Sequence, residues 1–246
     1  MSIIDVLLGS LEFGVSVQDV RIGQHWTAVA VETTVGMRGG IASTLGALQE
    51  HCAGRPSVRD ASRLLEYSAR ELAELSRSES LAEASVGLAT INALLDVDEA
   101  ACVEVNAAEI LVERGTGKRV AIVGHFPIIP RVRRAAEVLW VLELHPRGDD
   151  LPAARAVEII PQAHVVGITG SALVNHTFDE LVSLCRPDAC VVVMGGSTPL
   201  SSLFFELGVD AVAGTYVADV PAVMHAVSQG ATFRQIQGKR LLTLFG

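Results

Sequence analysis

RVAIVGHFPIIPRVRRAAEVLWVLEL, residues 119–144, decides the fold. It opens with a short apolar run, RVAIVG (119–124), and closes with another, VLWVLEL (138–144), with room for a loop and a helix between them. Apolar runs of this length, bounded by glycine or charge, suit strands buried on both faces of a parallel sheet. The same rhythm continues downstream, where HVVGITG (164–170), ACVVVMGG (189–196), VDAVAG (209–214) and RLLTLF (240–245) read as further strands. The intervening stretches carry helix punctuation. Thr177 with Glu180 reads as a capping box, and Thr198 with Pro199 as an N-cap and first-turn pair for a helix closed by Gly208. Asp219 reads as the cap of a helix closed by Gly230. Strands alternating with helices predict an α/β fold built on a right-handed, doubly wound, Rossmann-like parallel sheet.

Upstream the rhythm differs. VSVQDVRIGQHWTAVAVET (15–33) mixes β-branched and polar residues around Gly23 and predicts an antiparallel hairpin, followed by a glycine-rich turn, VGMRGG (35–40). Ser57 with Asp60 opens one helix, whose face carries Val58, Ala61, Leu65, Leu72 and Leu75. Ser80 with Glu83 opens a second, with Leu81, Ala84, Leu88, Ile91 and Leu95 in one stripe. Strands followed by helices are α+β logic. The expectation is a smaller N-terminal α+β domain over residues 1–96 and the parallel sheet over 97–246, with a connecting helix from Asp96 to Glu113.

Composition narrows the class. Half of the 246 residues are hydrophobic and 19% are charged, enough for a large buried core. No apolar run approaches the ~18 residues of a membrane-spanning helix. The N-terminus has no basic leader before its apolar residues, so it does not read as a secretory signal. Cys52, Cys102, Cys185 and Cys190 show no CxxC spacing and read as reduced, buried thiols of a cytoplasmic protein. A net charge of −9 argues against a nucleic-acid partner; Arg131, Arg133 and Arg134 suffice only for one small anion.

In an open parallel sheet, ligands bind beyond the carboxyl ends of the strands. The segments there are Gly124-His125-Phe126-Pro127, Glu143 to Arg147, Thr169-Gly170-Ser171, Gly195-Gly196-Ser197-Thr198-Pro199 and Gly214-Thr215. Glycine and hydroxyl residues dominate, and three of these loops are expected to enter helix N-termini that favour an anion. The first loop lacks GxGxxG, and Pro127 and Pro130 remove donors where a pyrophosphate would sit. Glu143, 19 residues after Gly124, supplies half of a dinucleotide fingerprint. A nucleotide or adenosyl group held in another way stays open. His125, Glu143 and His145 offer imidazole and carboxylate donors for a divalent transition metal such as Zn, Ni, Co or Fe, with Asp149 nearby. No ligand spacing fixes their geometry, and capping or supporting histidines are the alternative. Asn175 and His176 precede a helix, where Asn175 also fits a plain turn. Ser171 and Ser197 lie outside any GxSxG, so Ser197 reads as a hydrogen-bond donor or cap. Met37 and Arg38 fit a mobile loop closing over the crevice, or a surface turn. His25, His51, His164 and His225 have no supporting neighbours.

VGHFPIIPRVR (123–133), ELHPRGDDLP (143–152), ITGSALVNHTFDELVSLCR (168–186) and GGSTPLSSLFFELGVDAVAGTYVAD (195–219) together resemble the Rossmann-like domain of the heavy-metal chelation family. IGQHWTAVAVE (22–32) and SLAEASVGLATINALL (80–95) resemble the small domain that precedes it there, which is similar to the N-terminal domain of enolases. The resemblance implies a site in the cleft between the domains. It carries His125, Phe126, Pro127, Glu143, Asn175, Ser197, Thr198, Pro199 and Thr215 into that site, and Thr169, Gly170 and Gly196 stand at the same strand ends. His145 stands where the family would lead one to expect an Asn-like residue, and Gly195-Gly196 where Gly-Pro is common. The expected function is binding of a small ligand, a heavy metal or a metal–chelator complex. The alternative is an enzyme, a transferase or lyase, acting on a small anionic metabolite or chelator precursor, with a nucleotide or adenosyl cofactor. A third reading is a scaffold that acts through a homo-oligomer, which the apolar content permits.

Overall fold

The computed structural model describes residues 2–46, 57–105 and 107–246; His51 and Cys52 lie outside them. The chain opens with a helix that sequence reading overlooked, α1 (Ile3–Ser10), started by a reciprocal box between Ser2 and Asp5. Strands β1 (Ser16–Ile22), β2 (Trp26–Thr33) and β3 (Gly36–Ser43) follow, forming an antiparallel sheet in that order. The expected hairpin is present. The expected turn or mobile loop at VGMRGG is not: residues 36–40 belong to β3, with Met37 and Arg38 registered opposite Glu32 and Val31. Gly40 serves close packing there, because a Cβ would stand 2.2 Å from the Ala89 carbonyl oxygen.

The helix expected from Ser57 to Leu75 resolves into turns, a 3-10 turn at Leu64–Glu66 and the short α2 (Ala69–Glu74), capped by Ser68 and Glu71. The second expected helix is α3 (Leu81–Leu94), and Ser80 accepts from the Glu83 amide as anticipated. The Glu83 carboxylate turns away from the cap and binds Arg59 and Ser78. The connecting helix from Asp96 is likewise interrupted: a 3-10 turn, an isolated bridge between Val103 and Thr243, then α4 (Ala107–Gly115).

The larger sheet comprises β4 (Arg119–Val123), β5 (Val138–Glu143), β6 (Leu151–Pro152), β7 (Val165–Thr169), β8 (Cys190–Met194), β9 (Ala211–Val217) and β10 (Lys239–Phe245). Helices α5 (Ile129–Ala135), α6 (Ala156–Ile159), α7 (Ser171–Val174), α8 (Phe178–Ser183) and α9 (Val220–Ser228) lie between them. The strand order is β10-β9-β8-β7-β4-β5-β6. β4 through β9 pair in parallel, as expected, but β10 runs antiparallel to β9. A fold class of two-domain α/β therefore holds. The order reverses between β4 and β7, which makes their carboxyl ends the topological switch point, where ligands bind in open α/β sheets.

Thr198 does not cap a helix. The chain stays irregular to Ser201, which caps a 3-10 helix (Ser202–Leu207) closed by Gly208 in the left-handed region. Thr177 is no side-chain cap either, because its hydroxyl donates to Asn175 Oδ1 at 2.7 Å. The loops after β4 and β7 do enter helices, only 7 and 4 residues long, whereas β8 leads into the 3-10 turn.

Both faces of the small sheet are covered. α3 packs on one side, and on the other α9 places Val220, Val223 and Val227 against Ala28, Ala30 and Ile41. Thr27 to Val31 in β2 are accordingly buried without alternation. On the larger sheet, Ile122, Val165 and Val192 meet α4 and α5. Its other face joins the core of α1 and α3 through Ile168, Phe178 and Phe204. No helix among the described residues is long and apolar enough to cross a membrane.

Candidate functional site

At the end of β4 the chain turns at Gly124, whose φ of +105° lies in the left-handed region. A Cβ there would press on the Phe126 ring and on Thr169, each at 3.0 Å. Glycine thus lets Phe126 fold back over the ends of β7 and β8, where it also faces Gly195. Phe126, Thr169, Gly170 and the Gly195–Thr198 segment are brought together in this way. Gly170 lies against Thr198, and Gly196 is roofed by Trp26 and Phe233, whose ring centroids are 5.0 Å apart.

His125 stands in the loop after β4, its side chain 53% exposed. Its Nδ1 meets Asp150 Oδ2 at 2.9 Å, and the Asp150 side chain is only 4% exposed. The same oxygen accepts from the Arg147 amide at 3.2 Å. An ionised carboxylate can only accept, so the pairing assigns the proton to Nδ1 and leaves the Nε2 lone pair directed away from Asp150. Sequence reading overlooked Asp150; two adjacent acids in a glycine turn were its only signal.

The other proposed metal donors are not drawn into this pair. Glu143 Oε2 accepts from the Leu144 amide at 3.2 Å, and His145 is exposed in the loop after β5. Among the described residues, no three His, Cys, Asp or Glu side chains stand close enough to cage a metal ion. Burial pushes the Cys185 thiol up to about 11 and raises Cys190 and Cys102 as well, which keeps these sulfurs protonated and poor as soft-metal ligands.

The remaining candidates separate. Asn175 closes a turn by accepting from the Thr177 amide and hydroxyl. Pro127 is exposed on the loop, whereas Ser197, Thr198 and Pro199 are buried where the small sheet meets the large one. There Ser197 Oγ accepts from the Ser43 amide at 2.8 Å, and Ser171 Oγ reaches Ser43 Oγ at 3.2 Å. Thr215, at the far end of β9, lines a cavity of about 320 Å³ together with Asn92 of α3. Asn92 Oδ1 and Thr215 Oγ1 are buried and have no hydrogen-bond partner among the described residues. Leaving such a group bare costs about 1–3 kcal/mol. An amide within an apolar helix face was a usable sequence signal for Asn92, and it was missed.

Two family models match the chain, both described as "Putative heavy-metal chelation": DUF364 over residues 106–245 and DUF4213 over residues 4–95. A DUF364-family protein of unknown function from Desulfitobacterium hafniense superposes with a TM-score of 0.80 at 23% identity, covering 99% of this chain and 97% of the other. One from Pyrococcus horikoshii, also of unknown function, gives 0.82 at 20% identity, covering 99% and 98%. No curated protein matches.

Proposed function

The chain belongs to the heavy-metal chelation family, and we propose that it binds a heavy-metal ion as cargo, delivered on a small chelator, with His125 as the protein's own ligand to the metal. The His125–Asp150 pair carries this reading. A buried carboxylate that holds one ring nitrogen fixes the tautomer and orients the ring, which is how metal-binding histidines are commonly supported. A chelated cargo accounts for the donor set. One oriented imidazole completes a coordination sphere whose remaining donors arrive with the ligand. His125 follows β4 beside the switch point of the sheet, the position where ligands bind in open α/β folds.

The test is calorimetric titration with Ni²⁺, Co²⁺ and Zn²⁺, each as the free ion and as its citrate and nitrilotriacetate complexes. A chelate is expected to bind more tightly than the free ion. His125→Ala should abolish that binding, and Asp150→Asn should weaken it about 10–100-fold, as loss of a ligand's supporting carboxylate does. Binding that survives His125→Ala unchanged would overturn the reading.

A further inference from the structure

A charged face stands at the other end of β4. Residues 114–134 hold Arg114, Lys118, Arg119, Arg131, Arg133 and Arg134 and no acid, so a chain of net charge −9 carries +6 there and −15 everywhere else. Sequence reading joined only the last three; the fold adds the others. Arg114 lies in the last turn of α4, and the turn after it leads Lys118 and Arg119 into β4. α5 packs on α4 and returns Arg133 and Arg134 to the same end in its own last turn. The two groups are fastened side by side. The Gly117 amide donates to the Ala135 carbonyl and the Glu137 amide to the Lys118 carbonyl, each at 2.9 Å, and Arg119 is registered opposite Val138. β4 is 5 residues long, so this edge stands roughly 17 Å from the loop that holds His125.

These cations lack counter-charges. Eight arginines elsewhere among the described residues hold carboxylates. The six form no ion pair there, although Glu113 and Glu137 border them. Arg119 is half-buried and the other five are exposed. The helix dipole favours cations in a last turn, which accounts for the placing of Arg114, Arg133 and Arg134. It does not account for six neighbouring like charges left to repel one another in the free protein. Charge complementarity then selects the partner. Five guanidiniums to one ammonium suit carboxylates, which the planar fork grips in pairs. The cations are spread over two helices, whose axes lie about 8–10 Å apart when packed, and the turn into β4, so a row of carboxylates matches them better than one small anion. A nucleic-acid duplex or an anionic membrane would also meet the −15 carried by the rest of the chain, whereas a short acidic segment touches this face alone. No large apolar side chain is exposed between residues 114 and 134, so the contact is electrostatic and sensitive to salt.

We infer that this face docks an acidic segment of a partner protein, a short run of Asp and Glu side chains. The inference does not depend on the metal reading above. The experiment is fluorescence anisotropy of the full chain with a labelled Glu-rich peptide of about ten residues, long enough to cross the face when extended. Its Gln counterpart, a single-stranded oligonucleotide of the same length and vesicles containing phosphatidylserine are the comparisons. The Glu peptide should bind and the Gln peptide should not. Raising the salt from about 50 to about 200 mM should weaken binding at least tenfold, because exposed charges are screened. The triple variant Arg131→Gln, Arg133→Gln, Arg134→Gln keeps good helix formers at exposed positions, and it should also weaken binding at least tenfold with an unchanged melting temperature. Arg234→Gln, which removes an exposed cation in the segment after α9, and His125→Ala should bind the peptide as the wild type does. Silence of the Glu peptide, equal binding of the Gln peptide, wild-type binding by the triple variant, an equal loss in Arg234→Gln, or tighter binding of the oligonucleotide or the vesicles would overturn the inference.

Discussion

Glu83 is only 3% exposed, yet it carries a charge. Burial pushes its carboxyl up, but the Arg59 guanidinium, the Ser78 hydroxyl at 2.6 Å and the Arg59 amide at 3.0 Å outweigh that and hold it below the usual carboxylate range. A folded value below the unfolded one stabilises the protein fully above pH ~4.5 and loses that contribution as the pH falls through the folded value. Glu83→Gln is therefore expected to lose about 1–3 kcal/mol at pH 7. The gap to wild type should narrow as the pH falls through the folded value, below the usual carboxylate range, as urea unfolding over a descending pH series would read. The cap at Ser80 was legible because its partner lies three residues away. The Arg59 contact was not, since it joins positions 24 residues apart across a segment whose periodicity suggested a plain helix. The same limit hid Asp150, whose role arises only when the loops after β4 and β5 meet.

Elements were legible wherever pattern alone decides them. The five apolar runs from Val120 to Val217 became parallel strands because each is covered on both faces, and the α3 stripe became a core helix. Pattern carries no strand direction, so RLLTLF gave β10 but not its antiparallel sense. β3 was hidden because Gly36, Gly39 and Gly40 suggest a turn. Their use is proximity: Gly40 lets β3 approach the α3 backbone, where an added Cβ would also stand 2.3 Å from the Ala93 nitrogen. Gly40→Ala should force backbone apart and cost about 1–3 kcal/mol or more, at about 2–4 °C of melting temperature per kcal/mol for a chain of this size. Gly9→Ala, in α1 with nothing within 4 Å of the new methyl, should instead raise stability by about 0.5–1 kcal/mol. Calorimetric melts of the two variants separate these opposite signs.

Across the whole molecule the two sheets meet through hydrogen bonds as well as apolar packing. Ser43 of β3 binds Ser197 through its amide and its hydroxyl, and Asn92 binds carbonyls on both sides of the junction. Ser197→Ala should leave the Ser43 amide without its partner and cost about 1–3 kcal/mol, read as a lower melting temperature in scanning calorimetry. Sequence reasoning placed Ser197 at the right strand end. It could not show that the hydroxyl would face the small sheet, because which strand end the first lobe covers depends on the docked arrangement. The connector between the lobes has its own fastening. Val103 and Thr243 exchange backbone hydrogen bonds at 2.9 Å each way, and Arg240 grips Glu99 and Glu104. During synthesis that latch cannot close until β10 has emerged from the ribosome. Until then the linker that follows the first lobe stays unfastened.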